Sequence, residues 1–320
     1  MQKTFIARRE ERPGDAWLAE FAAGRAEAER WYRDHGRGPP PSAAVCRAAL
    51  GRHMPELLPH YDRACSMLGD DEGAHRIVSH WRPPAAPHGC THALWLGAGG
   101  PAMVRSYDYP LDLVSPGIVS SAWMGREVIA KAQRPWGGVT DGLNADGLAV
   151  SVALGGRVAV GEGFAIILMA RYVLETCRTV DEAAAALARI PVAASHNVVL
   201  LDRSGDHATV YLGPDRAPAV VRDLACANQQ ERRGSASSEA RLAAARHALD
   251  EPGMTLPRLV ERFLQPPLHS RRAAFPTVYT AVYRPAEGRV DYVWPGKVWS
   301  QAFGAFAPGA YVHDYGELTP

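Results

Sequence analysis

The sequence predicts an α+β fold in which two mainly antiparallel sheets are stacked between layers of helices. Two observations lead to this fold class. Helix candidates come in groups, before residue 70, between 163 and 188 and between 239 and 264, and groups of strand candidates separate them. Neighbouring strand candidates are joined by short turns containing glycine, asparagine or aspartate, which is typical of antiparallel hairpins. The pattern favours sheets covered by helices, although other α+β folds share it.

The first part of the chain is predicted to be helical. Asp15 is expected to cap a helix that ends at Gly36, and Ser42 to cap a second one after a proline-rich break. Residues 55–68 continue the helical region, and residues 75–81 are either a short strand or the end of a helix. The apolar residues that recur at helical spacing in the first helix are Trp17, Phe21, Ala28 and Trp31.

The character of the chain changes at Cys90. Strand candidates follow in pairs, at residues 91–96, 102–107, 118–124, 127–132, 138–143 and 147–154. The next segment, 163–176, is apolar on almost every side and is therefore predicted to be a buried helix. Thr179 and Glu182 then form a capping box that opens a helix ending near Ala188.

The last third repeats this alternation. Strands are predicted at residues 196–202, 207–212, 277–283 and 290–294, and an extended segment at 217–225 leads into Cys226-Ala227-Asn228. Helices are predicted at residues 239–249 and 256–264.

The composition is that of an ordinary globular protein. The 320 residues are 47% hydrophobic and 22% charged, with a net charge of +1, so no basic face for nucleic acid is indicated. The longest apolar run, 164–170, is too short to span a bilayer, and the N-terminus lacks the apolar core of a signal peptide. Five scattered cysteines without a CxxC pair suggest neither disulfides nor a zinc site. We therefore expect a soluble, cytoplasmic protein without metal or cofactor.

Cys90 is the candidate nucleophile. It begins a strand at the end of a Pro/Ala-rich loop. The residue before it is Gly89, which has no side chain and leaves room for attack on the preceding carbonyl. If the Gly89–Cys90 bond were cut, the new α-amine, with an ordinary pKa near ~8, could act as the base for its own thiol. A lone cysteine is by default a small buried apolar residue.

Arg105 and Asp108 lie three residues apart on the next strand, which would bring them close to Cys90 across a hairpin. Such a pair is more often a weak ion pair at the surface. Here the surrounding strand is apolar, which favours a buried functional role. His92 offers an alternative base, because residues two apart on a strand share a face. The two side chains would then lie next to each other, and the imidazole would not be directed at the thiol.

Three motifs together resemble those of the N-terminal-nucleophile hydrolases. They are Gly89-Cys90-Thr91, Arg105-x-x-Asp108 and the segment 141–148, Asp-Gly-Leu-Asn-Ala-Asp-Gly-Leu. The chain is most similar to the acyl-coenzyme A:isopenicillin N acyltransferase family, which is related to the choloylglycine hydrolases and to the N-acylethanolamine and ceramide amidases. The resemblance begins near Pro87 and continues to the C-terminus. It implies a four-layer αββα sandwich at residues 90–320, preceded by a helical segment, 1–89, that is a propeptide or small subunit.

The resemblance also implies roles for particular residues. The Cys90 thiol attacks an amide or thioester carbonyl, Asp108 orients the α-amine, and Arg105 stabilises negative charge or positions the substrate carbonyl. The remaining implied site residues are Asn144 and Asn228, as donors to the oxyanion, and Arg271, beside the nucleophile. Without the resemblance, Asn144 is a turn residue, Asn228 a cap and Arg271 part of a solvated basic turn. Tyr109, Trp123 and Trp136 are candidates for the walls of an acyl pocket, although such aromatic residues are more often core.

The leading hypothesis is therefore an amidohydrolase or acyltransferase that acts on a linear amide through an S-acyl-enzyme, after autoproteolysis at Gly89–Cys90. Its expected substrate is a small acyl amide or thioester, with acyl-coenzyme A as a candidate donor. The sequence leaves open whether the chain forms a homo-oligomer. Two alternatives remain at this point. Cys90 could act within an intact chain with His92 as base, or the chain could be a catalytically silent binding protein with the same fold.

Overall fold

The computed structural model describes residues 1–84, 89–231 and 234–320. In these residues fifteen strands form two sheets. Their bounds are β1 (Gln2–Arg9), β2 (Gly89–Trp95), β3 (Ala102–Asp108), β4 (Gly117–Ser121), β5 (Val128–Gln133), β6 (Gly138–Asn144), β7 (Leu148–Leu154), β8 (His196–Asp202), β9 (His207–Leu212), β10 (Ala219–Val221), β11 (Ala225–Cys226), β12 (Thr277–Arg284), β13 (Arg289–Trp294), β14 (Lys297–Ala302) and β15 (Gly309–Asp314).

Eight α-helices accompany the strands in the described part of the chain. Their bounds are α1 (Asp15–His35), α2 (Ala43–His53), α3 (Leu58–Leu68), α4 (Glu72–Ser79), α5 (Ile166–Thr176), α6 (Val180–Arg189), α7 (Ala236–Asp250) and α8 (Leu256–Phe263). The capping predictions are confirmed at Ser42 and Thr179, whose side chains accept hydrogen bonds from the first turns of α2 and α6. Asp15 is instead the first helical residue of α1, which follows Gly14, and the Glu10 carboxylate accepts from the Gly14 and Trp17 amides.

The two sheets are mainly antiparallel, as predicted. The larger has nine strands in the order β10-β9-β8-β7-β6-β5-β4-β1-β15, and the smaller has six in the order β11-β2-β3-β12-β13-β14. Among the pairings of the described strands, β1 with β4 is parallel and the others are antiparallel. Adjacent hairpins account for most of the order, because short turns force neighbouring strands to pair antiparallel.

Three apolar layers separate the four structural layers. Helices α5 and α6 cover the outer face of the nine-stranded sheet, and α1–α4 pack around them with Trp17, Phe21 and Leu57. The inner faces of both sheets enclose a second core that contains Cys90, Phe5 and several tyrosines. Helices α7 and α8 cover the outer face of the six-stranded sheet. The αββα sandwich is therefore confirmed, and Cys90 lies between its two sheets.

The N-terminal segment is helical, as predicted, but it also supplies a strand that the sequence analysis did not identify. Strand β1 lies between β4 and β15, and its Phe5 side chain packs against Tyr279 and Trp294 of the smaller sheet. Residues 75–81 lie largely in α4, the helical one of the two alternatives. The division of the chain at residue 89 stays a prediction, although β1 joins the first segment firmly to the sandwich. No helix among the described residues has the length and apolar character needed to cross a membrane.

Candidate active site

The Cys90 thiol is buried at the start of β2, with no part of the residue exposed to solvent. The guanidinium of Arg105, from the neighbouring strand β3, donates from Nη2 to the Cys90 Sγ atom at 3.2 Å. Burial raises the pKa of the thiol, and the positive charge of Arg105 opposes this increase. The structure therefore brings Cys90 and Arg105 together, as the sequence predicts, and provides a positive partner for a thiolate.

Arg105 is held in place by a buried carboxylate. It is itself fully buried and forms an ion pair with Asp141 of β6, which reaches it from the opposite sheet. Its guanidinium carbon also lies 4.5 Å from the centre of the Tyr107 ring. Burial, the largest influence, lowers the pKa of Arg105, but Asp141, Cys90 and the neighbouring tyrosines together outweigh burial and raise this pKa well above its usual value. Arg105 is therefore a permanent cation beside the thiol.

Asp141 has further partners that fix its orientation. Tyr279 donates to both carboxylate oxygens, at 3.1 and 3.2 Å, and Tyr283 donates to Oδ2 at 2.6 Å. Thr140 adds a third hydroxyl donor at 2.5 Å. Since a buried charge is costly unless it is paired and hydrogen-bonded, this arrangement allows the ion pair to lie between the sheets.

Asn228 lies beside the backbone of Cys90. Strand β11 pairs with β2 so that Cys226 is opposite His92, and continuing this register brings Asn228 opposite Cys90. Its Oδ1 accepts from the Cys90 amide at 3.0 Å, and its Nδ2 makes a long contact of 3.4 Å to the Leu154 carbonyl. The predicted oxyanion donor is therefore at the nucleophile.

Arg241 of helix α7 is a site residue that the sequence analysis missed. Its Nη1 donates to the Cys90 carbonyl at 2.7 Å and to the Thr91 hydroxyl at 2.5 Å, and its Nη2 donates to Asn228 Oδ1 at 2.8 Å. One signal was available: Arg241 precedes Ala245 and Ala248 at helical spacing, and therefore lies on the apolar face of α7. A charged residue on that face indicates a buried partner.

Asp108 lies opposite Gly89, the residue before the nucleophile. Its carboxylate accepts from the Thr277 hydroxyl at 2.7 Å and lies 3.9 Å from Arg241 Nη1. Burial raises its pKa to about 6, while Arg241 acts in the opposite direction. A Cβ atom added to Gly89 would lie 3.2 Å from the Asp108 Cβ, so glycine is the residue that fits here without displacement.

His92 shares the inner face of β2 with Cys90 but points to a different partner. Its Nε2 is 2.8 Å from the Ser151 hydroxyl on β7. Burial, and next the charge of Arg105, lower its pKa well below the usual value. Within the described part of the chain it makes no hydrogen bond to the Cys90 sulfur.

Two predicted site residues are not brought to the thiol. The Asn144 Nδ2 donates to the carbonyls of Leu174 and Cys177, at 2.9 and 2.8 Å, and thereby fixes the C-terminal end of α5 on the far side of the sheet. Arg271 is exposed and donates to the Glu317 carbonyl at 2.6 Å. Its predicted place beside the nucleophile is taken by Arg241.

An apolar cavity adjoins the site. Its walls include Tyr107, Tyr109, Thr140, Phe164, Ile166 and His196. Cys90 is not part of the wall, but Tyr107 is its register partner on β3 and Thr140 precedes Asp141, so these two wall residues link the cavity to the site. The Tyr107 hydroxyl is buried there and has no hydrogen-bond partner among the described residues. Of the predicted pocket walls, Tyr109 lines this cavity, whereas Trp123 and Trp136 line others.

Comparison with known proteins confirms the predicted family resemblance. A family model described as "Acyl-coenzyme A:6-aminopenicillanic acid acyl-transferase" matches residues 95–299, which is more than half of the chain. This range begins just after Cys90 and includes Arg105, Asp108, Asp141, Asn228 and Arg241. No curated protein matches the chain in sequence.

The solved structures to which the chain is similar are only distantly related to it in sequence. A mutant of conjugated bile acid hydrolase from Clostridium perfringens is 10% identical, with a TM-score of 0.51 over 71% of this chain and 97% of that one. Penicillin V acylase from Agrobacterium tumefaciens is 16% identical, with a TM-score of 0.49 over 67% and 86%. The Caenorhabditis elegans ortholog of N-acylethanolamine-hydrolyzing acid amidase is 15% identical, with a TM-score of 0.48 over 71% and 100%. At 10% identity, the similarity to conjugated bile acid hydrolase concerns the fold alone.

Proposed function

The chain belongs to the acyl-coenzyme A:6-aminopenicillanic acid acyl-transferase family, and from this premise we propose that it is a cysteine N-terminal-nucleophile enzyme. It forms or breaks a linear amide bond through an S-acyl-enzyme on Cys90. One observation carries the proposal. Each polar atom of Cys90 has a side-chain partner suited to this chemistry: Arg105 at the sulfur, Asn228 at the nitrogen and Arg241 at the carbonyl oxygen.

The first step of the proposal is cleavage of the chain by its own thiol. The Cys90 sulfur attacks the Gly89 carbonyl carbon, the carbon–nitrogen bond breaks, and the thiol proton passes to the Cys90 nitrogen. Water then hydrolyses the thioester, which leaves a carboxylate on Gly89 and a free thiol and α-amine on Cys90. The absence of a side chain on Gly89 supports this step, because a Cβ there would crowd Asp108.

The second step is catalysis by the new terminus. The α-amine takes the thiol proton as the sulfur attacks the substrate carbonyl, and Arg105 stabilises the thiolate. Asn228 Oδ1, which already accepts from the Cys90 nitrogen, holds the amine in place. Asp108 is the further predicted partner of this amine. The Asn228 Nδ2 group is the proposed donor to the oxyanion, and removal of one such donor typically costs ~2.7–4 kcal/mol of transition-state stabilisation.

The apolar cavity supports a substrate with an apolar acyl group. Its walls are mainly aromatic and aliphatic, which suits an apolar acyl chain. An acyl amide or thioester, acyl-coenzyme A included, therefore stays the proposed substrate class. Hydrolase and transferase share the acyl-enzyme and differ in whether water or an amine accepts the acyl group. A cytoplasmic location belongs to the same proposal, and the five free cysteines support it.

The unprocessed alternative with His92 as base has less support. His92 is bonded to Ser151, and burial keeps its pKa far below the range in which it would be a useful base. A catalytically silent binding protein would need no positive charge at the thiol. Arg105 is nevertheless buried there, and its partner Asp141 is itself held by hydroxyl donors.

Intact-mass measurement of the purified protein tests the proposal. We expect two fragments, residues 1–89 and 90–320, and a single uncleaved chain from Cys90→Ala. Cys65→Ala, which alters a partly exposed cysteine on α3, is the matched control and should cleave normally. A wild-type protein that stays whole after prolonged incubation would exclude the processing step. A cleaved protein whose Cys90 resists thiol-reactive acyl analogues would exclude the catalytic one.

A further inference from the structure

A second cavity, lined by arginines, lies in the N-terminal segment and is separate from the thiol. It is enclosed by the C-terminal end of α1, the loop that follows it, helix α4 and the residues just after α4. The empty space inside the cavity, including the part that is open to solvent at its mouth, is about 1120 Å³. The side chains of the wall that matter for its chemistry are Glu29, Tyr32, Arg33, Arg37, Arg76 and Arg82.

The wall carries an excess of positive charge. Four arginines and one acidic residue, Glu29, line it, and the Glu29 carboxylate is already bonded to Arg25. Arg33 and Arg76 have weak ion pairs with Asp34 and Glu72, at 3.2 and 3.7 Å. Neither Arg37 nor Arg82 forms an ion pair with a carboxylate in residues 1–84, 89–231 and 234–320. The cavity therefore attracts an anion and has donors free to bind it.

Arg82 occupies its place at a conformational cost. Its φ angle is +52°, in the left-handed region that residues with a side chain rarely adopt. The backbone is held there because the Arg82 amide donates to the Gly163 carbonyl at 2.8 Å. Its Nη2 donates to the Arg37 backbone carbonyl at 2.8 Å, which joins the Arg82 guanidinium to the loop that follows α1. Strain of this kind is concentrated at binding sites.

Tyr32 is also part of the cavity wall. Its hydroxyl oxygen is closed off from solvent and has no hydrogen-bond partner among the described residues, so it does not face the cavity. The donors available to a ligand are therefore the guanidinium groups. Phosphate oxygens accept from both hydroxyl and guanidinium groups, and the planar fork of arginine matches their geometry.

From this geometry we infer that the arginine-lined cavity binds a small molecule that carries two or more phosphate groups. Four guanidinium groups exceed the need of a single phosphate, and the space accommodates a larger anion. Trp81 packs against His53 and Phe164 and is also part of this wall, where a ring attached to the phosphates would contact it. The site is independent of the Cys90 chemistry, since none of its side chains contacts the thiol.

Calorimetric titration of the full-length protein with pyrophosphate at low ionic strength tests this inference. We expect saturable binding to the wild type, weakened about tenfold in Arg37→Gln, because one charge-assisted hydrogen bond is lost. Arg37 is exposed, so this variant should keep its fold. Arg47→Gln is the matched control, because Arg47 lies on the nearby α2 and is paired with Asp62 outside the cavity. It should bind pyrophosphate like the wild type.

Two further arms sharpen the result. Tyr32→Phe removes a hydroxyl that is closed off from the cavity and should bind pyrophosphate like the wild type. Titration with adenosine diphosphate distinguishes a free polyphosphate from a nucleotide ligand, since tighter binding that is lost in Trp81→Leu identifies a ring contact. Absence of pyrophosphate binding by the wild type, or equal weakening in Arg37→Gln and Arg47→Gln, would overturn the inference. Repeating the titration with uncleaved Cys90→Ala separates this outcome from failure of the proposed catalytic function.

Discussion

Replacing Arg105 should impair autoproteolysis by raising the pKa of the attacking thiol. The nucleophile of the reaction is the thiolate, and Arg105 supplies the positive charge closest to it, at 3.2 Å from Sγ. In the uncleaved chain the Cys90 nitrogen is still a peptide nitrogen and cannot act as a base. The chain itself is then the substrate, so no knowledge of the external substrate is needed. Arg105→Gln preserves much of the side-chain volume and removes the charge.

The distance sets the size of the expected effect. Two unit charges 3.2 Å apart interact with about 5 kcal/mol at an effective dielectric constant of about 20. This corresponds to roughly 4 units in the thiol pKa, as an upper bound. Asp141 works against Arg105 at the thiol, and Arg105→Gln leaves this carboxylate unneutralised. We therefore expect the midpoint of the cleavage-rate pH profile to rise by at least about one unit, with cleavage about tenfold slower below the midpoint.

The assay follows the fraction of refolded precursor that is cleaved over time between pH 5 and pH 10. Arg105→Gln combined with Asp141→Asn removes both charges, and it should show a smaller shift than the single variant. Arg171→Gln is the matched control, because Arg171 is equally buried and paired with Glu175 at 3.1 Å, far from the thiol. It should lower stability without moving the profile. If the profiles of Arg105→Gln and Arg171→Gln coincide, the electrostatic reasoning fails.

Three other predictions concern neighbouring residues. Gly89→Ala should slow cleavage at least about tenfold on denaturing gels, because its Cβ would lie 3.2 Å from that of Asp108, whereas Gly309→Ala, with open space around it, should cleave normally. Asn228→Ala should lower acyl-transfer kcat about 10²–10³-fold with little change in KM, and an unchanged kcat would remove it from the oxyanion site. The pKa of Asp108 is raised to about 6 by burial, so its contribution to stability is complete below pH ~4 and lost as pH rises to ~6. Urea unfolding of the uncleaved Cys90→Ala protein should show this loss, about 3 kcal/mol, and Cys90→Ala combined with Asp108→Asn should not.

Most of the fold could be predicted because its strands are local hairpins with clear turn residues. Strands β8 and β9 lie within the predicted bounds, since alternation and the intervening turn specify them without reference to the rest of the chain. Strands β1, β14 and β15 were not identified. β15 and β14 are edge strands with exposed side chains, so they lack the apolar run that marks a buried strand. β1 depends on partners more than 100 residues away, which no local pattern reveals.

The site was predictable where a motif fixes a residue on the same hairpin as the nucleophile. Arg105 and Asp108 follow directly from the pairing of β2 with β3. Asn144 lies in a motif of the family, but its position on β6 directs the side chain towards α5. Arg241 could not be predicted from a hairpin or a motif, because it comes from a helix of the outer layer. Its approach to Cys90 depends on how α7 packs on the sheet. Such packing is not expressed in sequence spacing.

Cleavage at Gly89–Cys90 would cut the chain without separating its two parts. Strand β1 pairs with both β4 and β15, and Phe5 is fully buried between the sheets, so the first fragment stays inside the sandwich. The same fragment supplies Trp31 to the apolar cavity beside the thiol. A free propeptide could be lost without harm, whereas loss of this fragment would expose the inter-sheet core. We therefore expect the two fragments to co-purify under native conditions, and the smaller one to remain a subunit that contributes to this cavity.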